Sequence, residues 1–152
     1  LQRIKIPSSA NWIGNSAFYR CNVLVEAILS TTSMTELPSS LFAFCRSLQT
    51  VSLPNSLERI CDYAFGVCCC LVTVMIVPLN DSKKIEIGVR SFQRCSALAN
   101  LVLPQGSTAH STTNWHSFQE CSLLQDRFGE GQDSIVAGLV SRFDDFPVHK
   151  LC

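Results

Sequence analysis

The sequence predicts an α/β repeat protein, a solenoid of about five coils with a short parallel sheet and a C-terminal helical cap. Two short motifs predict this fold, because they alternate along most of the chain. The first motif is Phe-x-x-Cys-x-x-Leu, and its five copies begin at Phe18, Phe42, Phe65, Phe92 and Phe118. The second is an aliphatic strand pattern between these copies. Recurrence at this scale indicates stacked units, each too small to bury its apolar face alone.

The strand motif reads Leu-x-x-Φ-x-Φ, where Φ is aliphatic, with a proline directly after it or one residue later. It begins at Leu48, Leu71 and Leu98, and a partial copy opens the chain at Leu1. Alternate side chains of a strand point to opposite faces, so the Φ residues predict an inward row and the x residues an outward row. Proline has no N–H for the ladder and therefore ends each strand. The copy at Leu24 lacks this proline.

A turn and then the Phe-x-x-Cys motif follow each strand. Ser and Asn after the proline predict the turn. We expect the Ala17-Phe18 pair and its equivalents to start a short helical turn that carries Phe and Cys inward on one face. The steps of 24, 23, 27 and 26 residues between phenylalanines lie within the period of about 20–29 residues that leucine-rich repeats have. Polar insertions at Asn80–Lys84 and Gly106–Thr113 are expected as outer loops.

Together these motifs resemble the BspA-type leucine-rich repeat, whose pattern is Leu-x-x-Ile-x-Ile-Pro, Val-x-x-Ile-Gly, x-x-Ala-Phe-x-x-Cys-x-x-Leu. Residues 1–124 follow this pattern and form the predicted solenoid domain. Proteins of this type occur on bacterial surfaces and in large families of unicellular eukaryotes. The resemblance implies a binding or adhesive scaffold. It does not identify a ligand, because the repeat positions encode packing.

Residues 125–152 depart from the repeat and are predicted to form a cap helix and the start of a further helical repeat. Asp133 and Ser134 could cap a helix whose apolar residues recur at helical spacing from Ile135 to Phe143. Such a helix would cover the core of the last coil, as solenoids require. The segment from Phe146 to the C-terminus resembles the Thr-Pro-Leu-His-x-Ala start of an ankyrin helix.

The charge balance argues against two partner classes. The 152 residues include 12 basic and 12 acidic side chains, so the formal net charge is +0. Nucleic acids and anionic membranes are usually bound through a basic surplus, and we therefore predict no nucleic-acid partner. No apolar run reaches the roughly 18 residues that span a bilayer, which predicts no membrane insertion. The chain opens within a repeat, and we expect it to be part of a longer protein.

Nine cysteines are present, an odd number, and five of them share one repeat position. Free cysteine behaves as a small hydrophobe, so we predict a buried, reduced ladder of Cys21, Cys45, Cys68, Cys95 and Cys121. A zinc site needs four convergent ligands, whereas His110, His116 and Cys121 supply at most three. Neither a Gly-x-Ser-x-Gly elbow nor a Cys-His motif is present. The sequence therefore predicts no metal, no cofactor and no catalytic residue.

The x residues of the strand motif form the candidate partner-binding surface. They are nearly uncharged and half apolar, which favours contact with a partner protein or peptide, or coverage by neighbouring chain in a longer protein. The candidate residues are Glu26, Gln49, Thr50, Ser52, Thr73, Met75, Asn100 and Val102.

These features predict a cytoplasmic, non-catalytic protein-interaction scaffold. Reduced cysteines and the lack of a visible targeting segment favour the cytoplasm. The alternative is a cell-surface or secreted adhesion module, which the bacterial relatives suggest and the glycosylation pattern Asn80-Asp-Ser permits. A third interpretation, an enzyme or a regulatory domain attached to one, depends on flanking sequence.

Overall fold

The computed structural model of the chain describes residues 2–77, 84–109, 111–112 and 115–141. In this part the chain winds as a solenoid that places nine strands in two parallel sheets and two strands in an antiparallel pair, and two helices follow. In chain order the elements are β1 (Arg3–Lys5), β2 (Glu26–Ile28), β3 (Glu36–Leu37), β4 (Thr50–Pro54), β5 (Arg59–Ile60), β6 (Thr73–Val77), β7 (Glu86–Ile87), β8 (Asn100–Leu101), β9 (Thr108–Ala109), β10 (Ser111–Thr112), β11 (Trp115–His116), α1 (Ser122–Phe128) and α2 (Gln132–Ser141). The predicted solenoid fold is confirmed.

The main sheet is the five-stranded sheet β1-β2-β4-β6-β8, and all its strands are parallel. The Φ residues of the strand motif are in register, so Ala27 pairs with Val51 and Val51 with Val74. All three are buried. Turns follow these strands. Such a turn is closed by a hydrogen bond from a backbone N–H to the carbonyl three residues earlier, as from the Leu57 N–H to the Pro54 carbonyl. The predicted strands and turns are thus present.

A second sheet, β3-β5-β7-β9, also consists of parallel strands and was not predicted. Each of its strands has only two residues, and in the first three the inward residue, Leu37, Ile60 or Ile87, is buried. The fourth, β9, falls in the Gly106–Thr113 insertion that we expected as an outer loop. That expectation is wrong for this segment, because Ser111–Thr112 also pairs antiparallel with β11.

The Phe-x-x-Cys segments contain no helical turn in the described residues, so the predicted short helix is wrong. The chain instead makes consecutive turns with hydrogen bonds between residues three apart, such as Tyr19 N–H to Ser16 carbonyl and Cys21 N–H to Phe18 carbonyl. Ser16 and Arg20 have φ values of 58° and 59°, a left-handed conformation that no α-helix contains. It frees alternate N–H groups to bond the next coil, as Phe18 N–H bonds the Leu41 carbonyl at 3.0 Å.

Phenylalanine and cysteine nevertheless point inward, as predicted. Phe18, Phe42, Phe65, Phe92 and Phe118 form one stack with ring centroids 5.1–5.7 Å apart and interplanar angles of 4–16°. Four of these rings are buried and Phe18, in the first coil, is half-buried. Parallel stacking at this spacing lets each coil repeat the packing of the one before it.

Helices α1 and α2 cover the last coil. The predicted cap helix is α2, which buries Ile135 and Leu139 against the core; α1, which begins within the last Phe-x-x-Cys-x-x-Leu copy, was not predicted. A Cβ added to Gly138 would overlap the Phe128 ring, so glycine permits the close approach of the two helices. The segment that resembles an ankyrin helix lies outside the described residues, as does Phe143.

Candidate interaction surface

The candidate surface is the outer face of the main sheet, which we call the outer face. Its residues form two rows, because the strands are parallel and in register. One row is Arg3, Glu26, Thr50, Thr73 and Asn100. The other is Lys5, Ile28, Ser52 and Met75. The structure therefore brings together residues that are 23–27 positions apart in the sequence.

Each sequence-predicted candidate lies on or beside this face. Gln49, Met75 and Asn100 are exposed, and Glu26, Thr50, Ser52, Thr73 and Val102 are half-buried. Gln49 comes directly before β4 and Val102 directly after β8.

The outer face changes in chemistry from one end to the other. At β1 and β2, the Arg3 Nε lies 2.8 Å from a Glu26 carboxylate oxygen, and the two side chains are 67% and 37% exposed. At β6, Met75 is 41% exposed and Val72, just before the strand, is 38% exposed. The face is therefore charged at β1 and β2 and partly apolar at β6, which differs from the nearly uncharged row that we expected.

Arg3 and Lys5 were missing from the predicted set. Both occupy x positions of the partial strand motif at the start of the chain, so the signal was present in the sequence. The parallel pairing of β1 with β2 places them on the outer face.

The hydroxyl and amide groups of the outer face are linked between coils. The Asn100 Nδ2 donates a hydrogen bond of 3.2 Å to the Thr73 Oγ1. The Ser52 Oγ lies 3.5 Å from the Ser30 Oγ. Side chains held this way lose less conformational freedom on binding than free surface side chains, which favours recognition.

The cysteine ladder is a structural feature of the interior. All eight cysteines among the described residues are free thiols. The Cys68 Sγ donates to the Phe42 carbonyl at 3.0 Å and the Cys95 Sγ to the Phe65 carbonyl at 3.1 Å. Burial raises the pKa of both thiols well above the ordinary value. A thiol that stays protonated is a poor nucleophile and a poor metal ligand.

The histidines give no convergent site in the described part of the chain. His116 is exposed on β11, whereas the Cys121 Sγ is buried and donates to the Phe92 carbonyl at 2.9 Å. His110, His149, Cys152 and the Asn80 glycosylation pattern lie outside the described residues. Within these residues no group of three His, Cys, Asp or Glu side chains is arranged to hold a metal, and no helix is long and apolar enough to span a bilayer.

Comparison with known proteins gives one family match and two structural likenesses. The model of the BspA type leucine-rich repeat region matches residues 1–82 and 77–138, with six copies. The leucine-rich-repeat protein of T. pallidum is 25% identical, with a TM-score of 0.65, over 79% of this chain and 55% of that chain. A leucine-rich repeat protein from Bacteroides ovatus is 24% identical, with a TM-score of 0.58, over 87% of this chain and 41% of that chain. No curated protein matches.

These likenesses concern the fold and the repeat. The chain spans about half the length of the T. pallidum protein, and less of the Bacteroides one. The family model, in contrast, covers well over half of this chain, and the matched ranges include the stacked coils of the structure. The chain belongs to the BspA-type leucine-rich-repeat family.

Proposed function

We propose that this chain is a non-catalytic interaction module that binds a partner protein or peptide on the outer face. The observation that carries the proposal is the alignment of the candidate side chains in continuous rows across five parallel strands. Solenoids bury their repeat positions in the core and leave such rows for recognition. Membership in a leucine-rich-repeat family supports the same function.

The composition of the outer face suits an extended segment of a partner. Met75 and Val72 offer apolar contact, and Thr50, Thr73 and Asn100 offer hydroxyl and amide groups. Such mixed surfaces are typical of non-obligate interfaces. The partner is expected to place apolar side chains near β6.

The area of the outer face limits the affinity. Five strands at a spacing of about 4.8 Å, each of about five residues, present on the order of 400 Å². A standard interface covers about 800 Å² on each partner. We therefore expect dissociation constants in the micromolar range or weaker for this chain alone.

The test is to select peptides from a random library displayed on phage against the folded chain. Peptides that bind the outer face should lose affinity by about tenfold or more when Thr73 and Met75 are both replaced by arginine, because two charges then occupy the centre of the contact. Affinity is measured by fluorescence anisotropy of the synthetic peptides.

A matched control keeps the added charge and changes its position. Asn55→Arg with Gln105→Arg adds two arginines at exposed turn positions that follow the main-sheet strands. Binding should survive in this variant. Peptides that bind both variants alike, or a library that yields none, would contradict the proposal.

We also propose that the protein works in the cytoplasm, and the alternative is a surface or secreted adhesion module. Free thiols that donate hydrogen bonds in the core support a reducing compartment. The test is a thiol count by intact mass on protein from its natural source, alkylated under denaturing conditions before and after reduction. Labelling of every cysteine without reductant supports the cytoplasm. Thiols that label only after reduction, or a glycan on Asn80, support the surface.

A further inference from the structure

The second sheet loses its pairing at the N-terminal end, where a proline removes one of the donors. Between later coils the residue after the buried aliphatic donates to the coil before it: Cys61 N–H to Leu37 carbonyl at 2.9 Å, and Gly88 N–H to Ile60 carbonyl at 2.7 Å. The residue at this position in the second coil is Pro38, which has no N–H. The carbonyl of Ile13 therefore has no donor there.

The first coil stays apart from β3. Within the described part of the chain, no backbone hydrogen bond joins residues 11–13 to residues 34–38, and β3 is an edge strand. A cleft of about 270 Å³ lies between them, and the residues around it include Trp12, Met34, Glu36 and Cys61. The cleft thus occupies the place where the strand pairing of the later coils is missing.

Trp12 forms an exposed wall of this cleft. It takes the sequence position of Glu36 and Arg59 in the later coils, one residue before the inward aliphatic. Its side chain is 78% exposed, more than any other large apolar residue among those described. The indole lies over Gly14, where an added Cβ would come 3.4 Å from the ring. This contact supports the ring and leaves most of its surface open to a ligand.

Most polar side chains of the cleft are available to bond a ligand. Asn11, Asn15 and Thr35 line it, and none of their side chains forms a hydrogen bond within the described residues. Glu36 has a carboxylate oxygen 3.7 Å from the Arg59 guanidinium. The cleft therefore offers two amides, a hydroxyl and a partly neutralised carboxylate around one aromatic ring.

This combination selects the ligand class by elimination. No cationic residue lines the cleft, so an anion would gain no partner and would meet the Glu36 carboxylate. A cation would compete with Arg59 for that carboxylate. A purely apolar ligand would leave the amide groups of Asn11 and Asn15 and the Thr35 hydroxyl unused. A neutral molecule with one flat apolar face and hydroxyl groups around its edge can contact both the Trp12 ring and the polar side chains of the cleft.

We propose that the cleft binds a neutral saccharide, with one pyranose ring stacked on Trp12. The C–H face of the ring lies on the indole, whose negative face attracts weakly positive hydrogens. The hydroxyl groups bond Asn11, Asn15 and Thr35. The volume is near the lower end for small-molecule sites, about 300 Å³, which suits one sugar ring. This site is separate from the outer face and does not depend on it.

The test is saturation-transfer NMR with the methyl glycosides of glucose, galactose, mannose and N-acetylglucosamine as probes. At least one probe should receive saturation, strongest at the ring C–H protons that face the indole, with a dissociation constant in the millimolar range. Trp12→Ala should remove the signal and Trp12→Phe should keep part of it. Thr35→Val should weaken binding by about three- to tenfold, since it removes one hydrogen bond.

Tyr19→Ala is the matched control, because Tyr19 is also an exposed aromatic residue, at 42%, but is not among the residues that line the cleft. It should bind the probe as the unmodified chain does. Saturation of no probe, an unchanged signal in Trp12→Ala, or an equal loss in Tyr19→Ala would each overturn the proposal. Trp12 is largely exposed, so its replacement should leave the unfolding midpoint unchanged, and Thr35→Val tests the site independently.

Discussion

Each ladder cysteine from the second coil onward joins its coil to the one before it. The carbonyl of Phe65, for example, accepts the Cys68 N–H of its own coil at 3.1 Å and the Cys95 thiol of the next coil at 3.1 Å. The same thiol contact recurs at Cys45, Cys68 and Cys121. Cysteine suits this position because it is small and apolar and still carries a proton to donate.

The buried thiols predict a loss of stability at alkaline pH. Burial raises the pKa of Cys45 to about 11 and that of Cys121 to about 12 in the folded chain, from an ordinary value of 9.0. A raised pKa means that the unfolded chain loses these protons first. The protonated thiols should therefore contribute fully to the free energy of unfolding below about pH 9. Above that pH the free energy of unfolding should fall, by up to about 1.4 kcal/mol per pH unit for each thiol.

The measurement is urea unfolding of the unmodified chain and of a variant with Cys45→Ala and Cys121→Ala, at several pH values from 8 to 11. Other groups titrate in this range, so the difference between the two slopes is the informative quantity. The variant should be less stable at pH 8 and show a shallower decline. Equal slopes would mean that these thiols do not resist ionisation in the folded chain.

The phenylalanine stack predicts a large effect at its centre. Phe65 is fully buried between Phe42 and Phe92, with centroid distances of 5.7 and 5.1 Å. Phe65→Ala should lower the free energy of unfolding by about 3–5 kcal/mol, because it empties a core position. Urea unfolding checks this, with the exposed Tyr19→Ala expected to change stability by less than about 0.5 kcal/mol. A loss under about 1 kcal/mol for Phe65→Ala would contradict the packing described.

At the scale of elements, the main sheet was predictable and the second sheet was not. The strand motif alternates over several residues, so its period and its inward row could be read from residues such as Val51 and Val74. A strand of two residues, such as β5 or β7, has no period to detect. The pairing of such a strand depends on the neighbouring coils, and the sequence of one coil does not reveal it.

The turns of the Phe-x-x-Cys segments were mispredicted for a related reason. Phe and Cys at a spacing of three suit one face of a helix, and also suit the consecutive turns that the chain makes. The left-handed residues include Phe44 and Val67, residue types that seldom adopt this conformation. Hydrogen bonds between coils stabilise it, as from the Phe44 N–H to the Gly66 carbonyl at 2.8 Å.

Gln132, at the start of α2, makes hydrogen bonds to the last coil that a further coil would otherwise supply. Its side-chain oxygen accepts the Ser117 N–H at 2.6 Å, and its nitrogen donates to the Ala109 carbonyl at 2.9 Å. Gln132→Ala should lower the free energy of unfolding by about 1–3 kcal/mol, because a buried N–H loses its acceptor. Amide hydrogen exchange by NMR should show faster exchange at Ser117.

The exposed neighbour Glu130 supplies the control for this change. Glu130→Ala alters the loop between the helices without touching the last coil, and should leave the Ser117 amide protected. Unchanged protection of Ser117 in Gln132→Ala would show that the helix covers the coil through its apolar residues alone.

At the scale of the whole molecule, the candidate surfaces differ in how far the sequence reveals them. The outer face follows from the x positions of a motif, so Glu26, Thr50 and Thr73 could be named without a structure. The Trp12 cleft lies where, among the described residues, Pro38 and Glu36 make no backbone hydrogen bond to the coil before them. Features that every repeat shares can be predicted from the sequence pattern, whereas the cleft lies where one coil differs from the others.

The two ends of the solenoid predict a gradient of stability along this chain. The last coil is covered by α1 and α2, whereas the first coil packs on one side only, and its Phe18 and Cys21 are half-buried. Each coil of a solenoid is stabilised by its immediate neighbours, so the coil with one neighbour should open most easily.

Hydrogen exchange by mass spectrometry measures this gradient directly. Peptides that cover residues 14–24 should exchange about tenfold faster or more than those that cover 38–48 and 61–71, which corresponds to about 1.4 kcal/mol less free energy of opening. The N–H groups of Ser16, Phe18 and Arg20 all donate to the second coil, so they should be released together when the first coil opens. Uniform protection from the first coil to the last would mean that the chain opens only as a whole, and that the stacked interfaces are stronger than the coils they join.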